Sequence, residues 1–165
     1  MAQIISEIHS NWSHFFGNLQ FSSNDFYKSV EDSLDQQDIP KISVKRVNLS
    51  EGGLFSSNRE YLRVKRGPYI FDICAAPYGK GFFVSWWFGE EVSFFRAMLL
   101  KIPVLNVLIA RTRTFKTYFQ VDTFTMFKTC VHDSVTASLD TITNVKGVRG
   151  LSDVDRKYTD KRSQE

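Results

Sequence analysis

Cysteine is scarce in this chain: two in 165 residues, Cys74 and Cys130, far apart and without C-x-x-C spacing. That excludes a disulfide scaffold and a zinc ribbon, and it makes a reduced, cytoplasmic setting the expectation. Histidine is nearly as rare. His9 and His14 stand five apart, off the three- or four-residue spacing that puts two ligands on one helix face, so no metal site is expected. No stretch reaches the roughly 18 uninterrupted apolar residues that a spanning helix needs. The opening MAQIISEIHSNW has no basic n-region and reads as a poor signal peptide. GKG at 79–81 lacks the rest of a phosphate-binding loop and the helix that should follow it. No cofactor is expected, and no internal repeat is visible.

What the chain has in quantity is aromatic side chains: fifteen Phe, six Tyr and three Trp, or 15% of residues. Such side chains either fill a core or wait for a partner. Residues 4–19 carry Ile4, Ile5, Ile8, Trp12, Phe15, Phe16 and Leu19 at helical spacing, which predicts a first helix. A second is expected after SSND, capped by Ser22, Ser23 or Asn24, with Phe26, Val30 and Leu34 on one stripe and Pro40 ending it. From Lys41 the period shifts toward two. ISVKRVNL, EYLRVK, YIFDICAA and FFVSWWF, separated by Gly-, Pro- and Ser-containing turns, predict a four-stranded antiparallel meander over 42–88, with a bulge at Lys45–Arg46.

Residues 92–110 form an apolar connecting segment, and a long helix should start near Asp122 or Thr123. Its stripe is Phe124, Phe127, Val131, Val135, Leu139 and Ile142, and Gly147 ends it. The order predicts one α+β domain over 1–150: N-terminal helices, the meander, the apolar connection and a long C-terminal helix packed on one sheet face. Residues 151–165 read as a disordered polar tail.

Catalytic constellations fail on geometry. In CVHD, Cys130 and His132 point about 200° apart on a helix, so they cannot act as nucleophile and base. The expected state is a buried cysteine beside a solvated His–Asp face. Asp72 interrupts an otherwise apolar strand; it either lies exposed at an edge or takes a cation from Arg63 or Arg66 next door, as a buried carboxylate must.

Charge is segregated. Residues 1–40 hold six acids against Lys28; residues 41–67 hold seven basic residues against Glu51 and Glu60. The acidic helices could dock on the basic strands, or Lys45, Arg63, Lys65 and Arg66 could present a positive surface to an anionic partner. Segment 92–110 is the second candidate surface. Phe94, Phe95, Met98 and Leu99, with Trp86 upstream and Arg111, Arg113 and Lys116 downstream, suit a core element, a protein interface or a membrane surface.

The expectation is therefore a non-enzymatic binding or interaction domain. It would associate with a protein partner or itself, or sit peripherally on a membrane, through residues 92–110. One alternative is a small hydrolase or transferase acting on a phosphorylated substrate, with Asp72 as its acid or base and Arg63 or Arg66 as its anion clamp. The other is a nucleotide or nucleic-acid binder through strands 41–67, against which the acidic half counts.

Overall fold

The structure, a computed structural model, describes residues 5–50, 58–91 and 117–161. The apolar segment 92–110, with Phe94, Phe95, Met98 and Leu99, lies outside the described residues, as does the Gly/Ser stretch at 51–57. In chain order the elements are β1 (Ile5–Phe16), α1 (Ser23–Gln36), β2 (Ser43–Ser50), β3 (Asn58–Arg66), β4 (Tyr69–Tyr78), β5 (Gly81–Glu91), α2 (Tyr118–Lys146) and β6 (Thr159–Asp160). The strands make one antiparallel sheet in the order β2-β3-β4-β5-β1-β6. The fold is α+β, and the expected meander is its β2 to β5 portion. Among the described residues the sheet has six strands rather than four because β1 pairs along the free side of β5 and β6 adds to β1.

The expected first helix is thus a strand. Trp12 and Phe16, four apart, share a face in a helix and in a strand alike, so their spacing does not choose between the two periods. The alternation that would have chosen is masked by polar residues facing inward. Ser10 is buried with its hydroxyl on the Asp160 carboxylate, and the His14 ring packs edge-on against Phe16 at 4.6 Å. Between Ile8–Gly89 and Ser10–Phe88 the register slips by one, which leaves His9 as the extra residue of a bulge. Its ring turns inward, 5.2 Å from Phe124. The bulge expected at Lys45–Arg46 is absent, because β2 and β3 pair in unbroken register from Ser43–Lys65 to Ser50–Asn58. Arg46 breaks the alternation for another reason: it sits on the helix side of the sheet as a charge, bonded to Glu31 of α1 at 2.9 Å and stacked 4.8 Å over the Tyr27 ring.

Helix α1 begins as expected. The Ser22 side chain caps it by accepting from the Asp25 N–H, and Phe26, Tyr27, Val30 and Leu34 are buried. Helix α2 begins a turn earlier than expected. Thr117 and Gln120 cap each other's backbone in a reciprocal box, which supplies two of the free N–H groups at that end. At its other end Gly147 takes the left-handed φ of 64° that closes a helix most cheaply without a Cβ.

Both helices feed one core. Phe26, Val30 and Leu34 from α1 and Phe124, Phe127, Val131, Val135 and Leu139 from α2 cluster with Trp12, Phe16, Leu62, Phe71, Ile73, Val84, Trp86 and Phe88 from the sheet. Along β4 and β5 these are alternate residues, the set that a strand points to one side.

The ladder between β3 and β4 stops at Leu62–Ile73. Beyond it the strands are bridged by a side chain. The Tyr27 hydroxyl donates to the Glu60 carbonyl at 2.8 Å and accepts from the Ala75 N–H at 2.9 Å, and burial pushes its phenol pKa far up. Residues 151–161, expected to be disordered, instead form a strap back across the domain. Trp12 Nε1 donates to the Asp155 carbonyl at 2.6 Å, Lys128 Nζ to the Asp160 carboxylate at 2.9 Å and Arg156 to Asp140 at 2.8 Å, and Leu151 joins the core. Tyr27→Phe leaves a buried N–H without its acceptor, so unfolding free energy should fall by about 1–3 kcal/mol in urea titration. An unchanged midpoint would remove the bridge from the account of stability.

Candidate functional site

The candidate residues divide by which side of the sheet they occupy. On β3 and β4, Arg63 and Asp72 are direct cross-strand partners. They lie on the side opposite the helices, one residue out of phase with the core positions Leu62, Val64, Phe71 and Ile73. Arg63 Nε and the second guanidinium nitrogen each reach one Asp72 oxygen at 2.7 Å, a two-pronged contact with both residues about 2% exposed or less. Donating these hydrogen bonds to the Asp72 carboxylate raises the guanidinium pKa above its ordinary value. Of the two placements open for Asp72 the structure has the buried one, with Arg63 as its cation, and Arg63 is correspondingly not part of a solvated positive surface.

The other basic candidates lie differently. Lys45 is exposed on β2, and Arg66 is half-buried at the end of β3. Lys65 is half-buried and ion-paired with Glu91 on β5. The acidic helix and the basic strands do meet, through Arg46, which bonds Glu31 and Glu60. Trp86, expected at an apolar interface, is fully buried in the core, while its neighbour Trp87 points to the opposite side and is 38% exposed.

Next to the Arg63–Asp72 pair, Cys74 is buried among Arg59, Tyr61 and Ser85, and burial pushes its thiol pKa up. A protonated, enclosed thiol is a poor nucleophile. The CVHD segment departs from its expectation too, because His132 is buried and Cys130 only half-buried. The His132 ring sits within 5.1–6.0 Å of Tyr158, Trp86 and Trp12, and its Nδ1 accepts from the Trp86 indole N–H at 3.2 Å. Burial lowers its pKa from the ordinary value.

Two grooves flank α1. One, of about 400 Å³, separates it from α2 and is lined by Asp25, Lys28, Asp32, Ser138 and Thr141 among others. The second, of about 430 Å³, separates it from β2 at Glu31, Val44 and Arg46. Neither reaches Asp72 or Arg63. Among the described residues no group of three His, Cys, Asp or Glu side chains could hold a metal ion, and no helix is long and apolar enough to cross a membrane.

The surface that sequence reasoning missed is the amino end of α2. Tyr118 and Phe119 are 91% and 79% exposed, and Met126 is 56% exposed. Met126 follows Phe119 by seven residues, about 20° around the helix, so the two share a stripe. The segment belongs to RTRTFKTYFQV, residues 111–121, which reads as strand-like in sequence; the signal that would have found it is Thr117-x-x-Gln120, the pattern of a capping box. No protein family, curated protein or solved structure matches the chain.

Removing one member of the Arg63–Asp72 pair leaves a buried charge. Asp72→Ala should therefore lower unfolding free energy by about 3–5 kcal/mol, whereas Arg63→Met with Asp72→Leu should recover most of that loss in the same denaturation series. A double variant as unstable as Asp72→Ala would mean that the pair carries more than charge compensation.

Proposed function

We propose that the chain is a non-enzymatic binding domain that attaches to an anionic membrane surface through residues 92–110 and the adjoining amino end of α2. The observation that carries this reading is the near-complete exposure of Tyr118 and Phe119 in the first turn of α2. An aromatic pair held out from a helix whose other rings are buried is apolar area left for a partner. The chain on its upstream side is of matching character. Arg111, Arg113 and Lys116 precede the pair, and before them come Phe94, Phe95, Met98, Leu99 and the further apolar residues to Ile109.

Tyr at the headgroup level, with Lys and Arg beside it, is the composition by which peripheral elements hold to anionic lipid. The combination favours a lipid surface over a wholly apolar protein interface, since three cations at the rim of a protein contact would need acids opposite them. The reading of Asp72 and Arg63 as acid or base and anion clamp of a phosphate-handling enzyme is weakened by their mutual, buried pairing. Binding of nucleotide or nucleic acid by strands 41–67 is weakened because Arg46, Arg63 and Lys65 all face acids.

Flotation with vesicles containing phosphatidylserine tests the reading. Wild type should float with anionic vesicles and not with neutral ones. Joint Tyr118→Ser and Phe119→Ser substitution should weaken vesicle affinity about a hundredfold or more, given about 1.5–3 kcal/mol for each large apolar side chain fully withdrawn from water. Neutralising Arg111, Arg113 and Lys116 should cost about 1 kcal/mol apiece. A wild type that stays at the bottom of the gradient sinks the membrane reading; if it also sediments as a dimer that the serine variant dissolves, the same patch is a self-association surface.

A further inference from the structure

We propose that residues 151–161 are a pH-sensitive strap, held across β1 and α2 by the neutral imidazole of His132 and released when that imidazole takes up a proton. Three observations converge on this ring. It is enclosed by Trp12 from β1, Trp86 from β5 and Tyr158 from the strap, with ring centroids 6.0, 5.5 and 5.1 Å away. Its Nδ1 is an acceptor, occupied by the Trp86 indole N–H at 3.2 Å. It also contacts the backbone carbonyl of Arg156, so one imidazole joins the central strand of the core to the strap.

An indole N–H can only donate, and an imidazolium has no acceptor. Proton uptake at Nδ1 therefore sets two N–H groups against each other inside a closed aromatic cage, and the ring must leave or the cage must open. The charges around it act in both senses. On α2 itself Lys128 and Asp133 face the ring, and from the strap Arg156 does. Lys128 is buried, 4.6 Å over the Tyr158 ring, and holds Asp160 at 2.9 Å. A new positive charge is repelled by Lys128 and the Arg156 guanidinium and favoured by Asp133 and the Arg156 carbonyl, so the enclosure of the ring is what chiefly opposes the proton.

Burial lowers the His132 pKa below its ordinary 6.5. A base held below its free value binds its proton more readily once released, so attachment is complete above about pH 6.5 and weakens as pH falls toward the folded value. Release uncovers Trp86 and Trp12 and frees the outer edge of β1, where Ser10 and Asn11 pair with Asp160 and Thr159.

Hydrogen exchange of the strap amides, corrected for the intrinsic rate at each pH, reads this out. Between pH 7.5 and pH 5.5 the protection of residues 151–160 should fall severalfold, up to about tenfold, while β4 and β5 keep theirs. His132→Gln, which keeps an acceptor and does not titrate, should hold its protection at both values. Equal wild-type protection at the two pH values overturns the proposal, and so does a glutamine variant that loses protection as wild type does. If the glutamine variant is open at both, Trp86→Phe decides: without the indole donor the His132 ring should titrate at higher pH by NMR, and an unmoved titration overturns the proposal.

Discussion

One indole N–H sets much of the arrangement. Trp86 lies at the middle of the sheet, fully buried and 4.6 Å from the Phe71 ring, where no water can reach its donor. A buried N–H without an acceptor costs on the order of 1–3 kcal/mol, so something on the helix layer must supply one. His132 does, which fixes the rotation of α2 over the sheet at that point. The same rotation brings Val131 and Val135 onto the core and Lys128 toward Asp160. The strap then completes the enclosure, because the imidazole still has a second nitrogen to satisfy and Arg156 presents a carbonyl to it.

Polar groups inside this domain are thus distributed as connectors between layers and strands. Arg63–Asp72 ties β3 to β4, Tyr27 ties α1 to both of them, Arg46–Glu31 ties β2 to α1, and Ser10 and Lys128 converge on Asp160. Buried ion pairs of this kind add little net stability over an apolar pair of the same shape. They do exclude wrong pairings: with Arg63 opposite Asp72, a one-residue slip of β3 on β4 would strand both charges.

These connectors also explain how far the sequence could be read. Helix α1, the meander and the buried stripe of α2 were legible because apolar residues recur there with a single period, and Ser22, Pro40 and Gly147 punctuate them. Asp72 was legible as a buried partner of a neighbouring arginine, though not which one. Strand β1 was not, since Ser10 and His14 occupy inward positions and the His9 bulge shifts the alternation partway along. The strap was not either. LSDVDRKYTD has the polar, mixed-charge composition of a disordered tail. Its order comes from single contacts with residues far off in sequence, such as Trp12 to Asp155 and Lys128 to Asp160, which no local pattern encodes. Trp86 and Trp87 show the limit in one dipeptide: adjacent identical side chains, one in the core and one half in water, separated only by the two-residue period of the strand.

The bridge made by Tyr27 gives the sheet a seam. Five residue pairs join β3 to β4, against eight between β2 and β3 and ten between β4 and β5. Where the ladder ends, the strands are joined through a phenol that belongs to α1. The β2–β3 hairpin is therefore stitched to the rest of the sheet by its shortest central ladder, the Arg63–Asp72 and Lys65–Glu91 ion pairs and one borrowed hydroxyl. Local opening follows the boundaries of such units rather than single residues. The domain has a fracture line running between Arg63 and Asp72, along which the hairpin can part as one piece while the β4–β5–β1 slab and α2 stay closed.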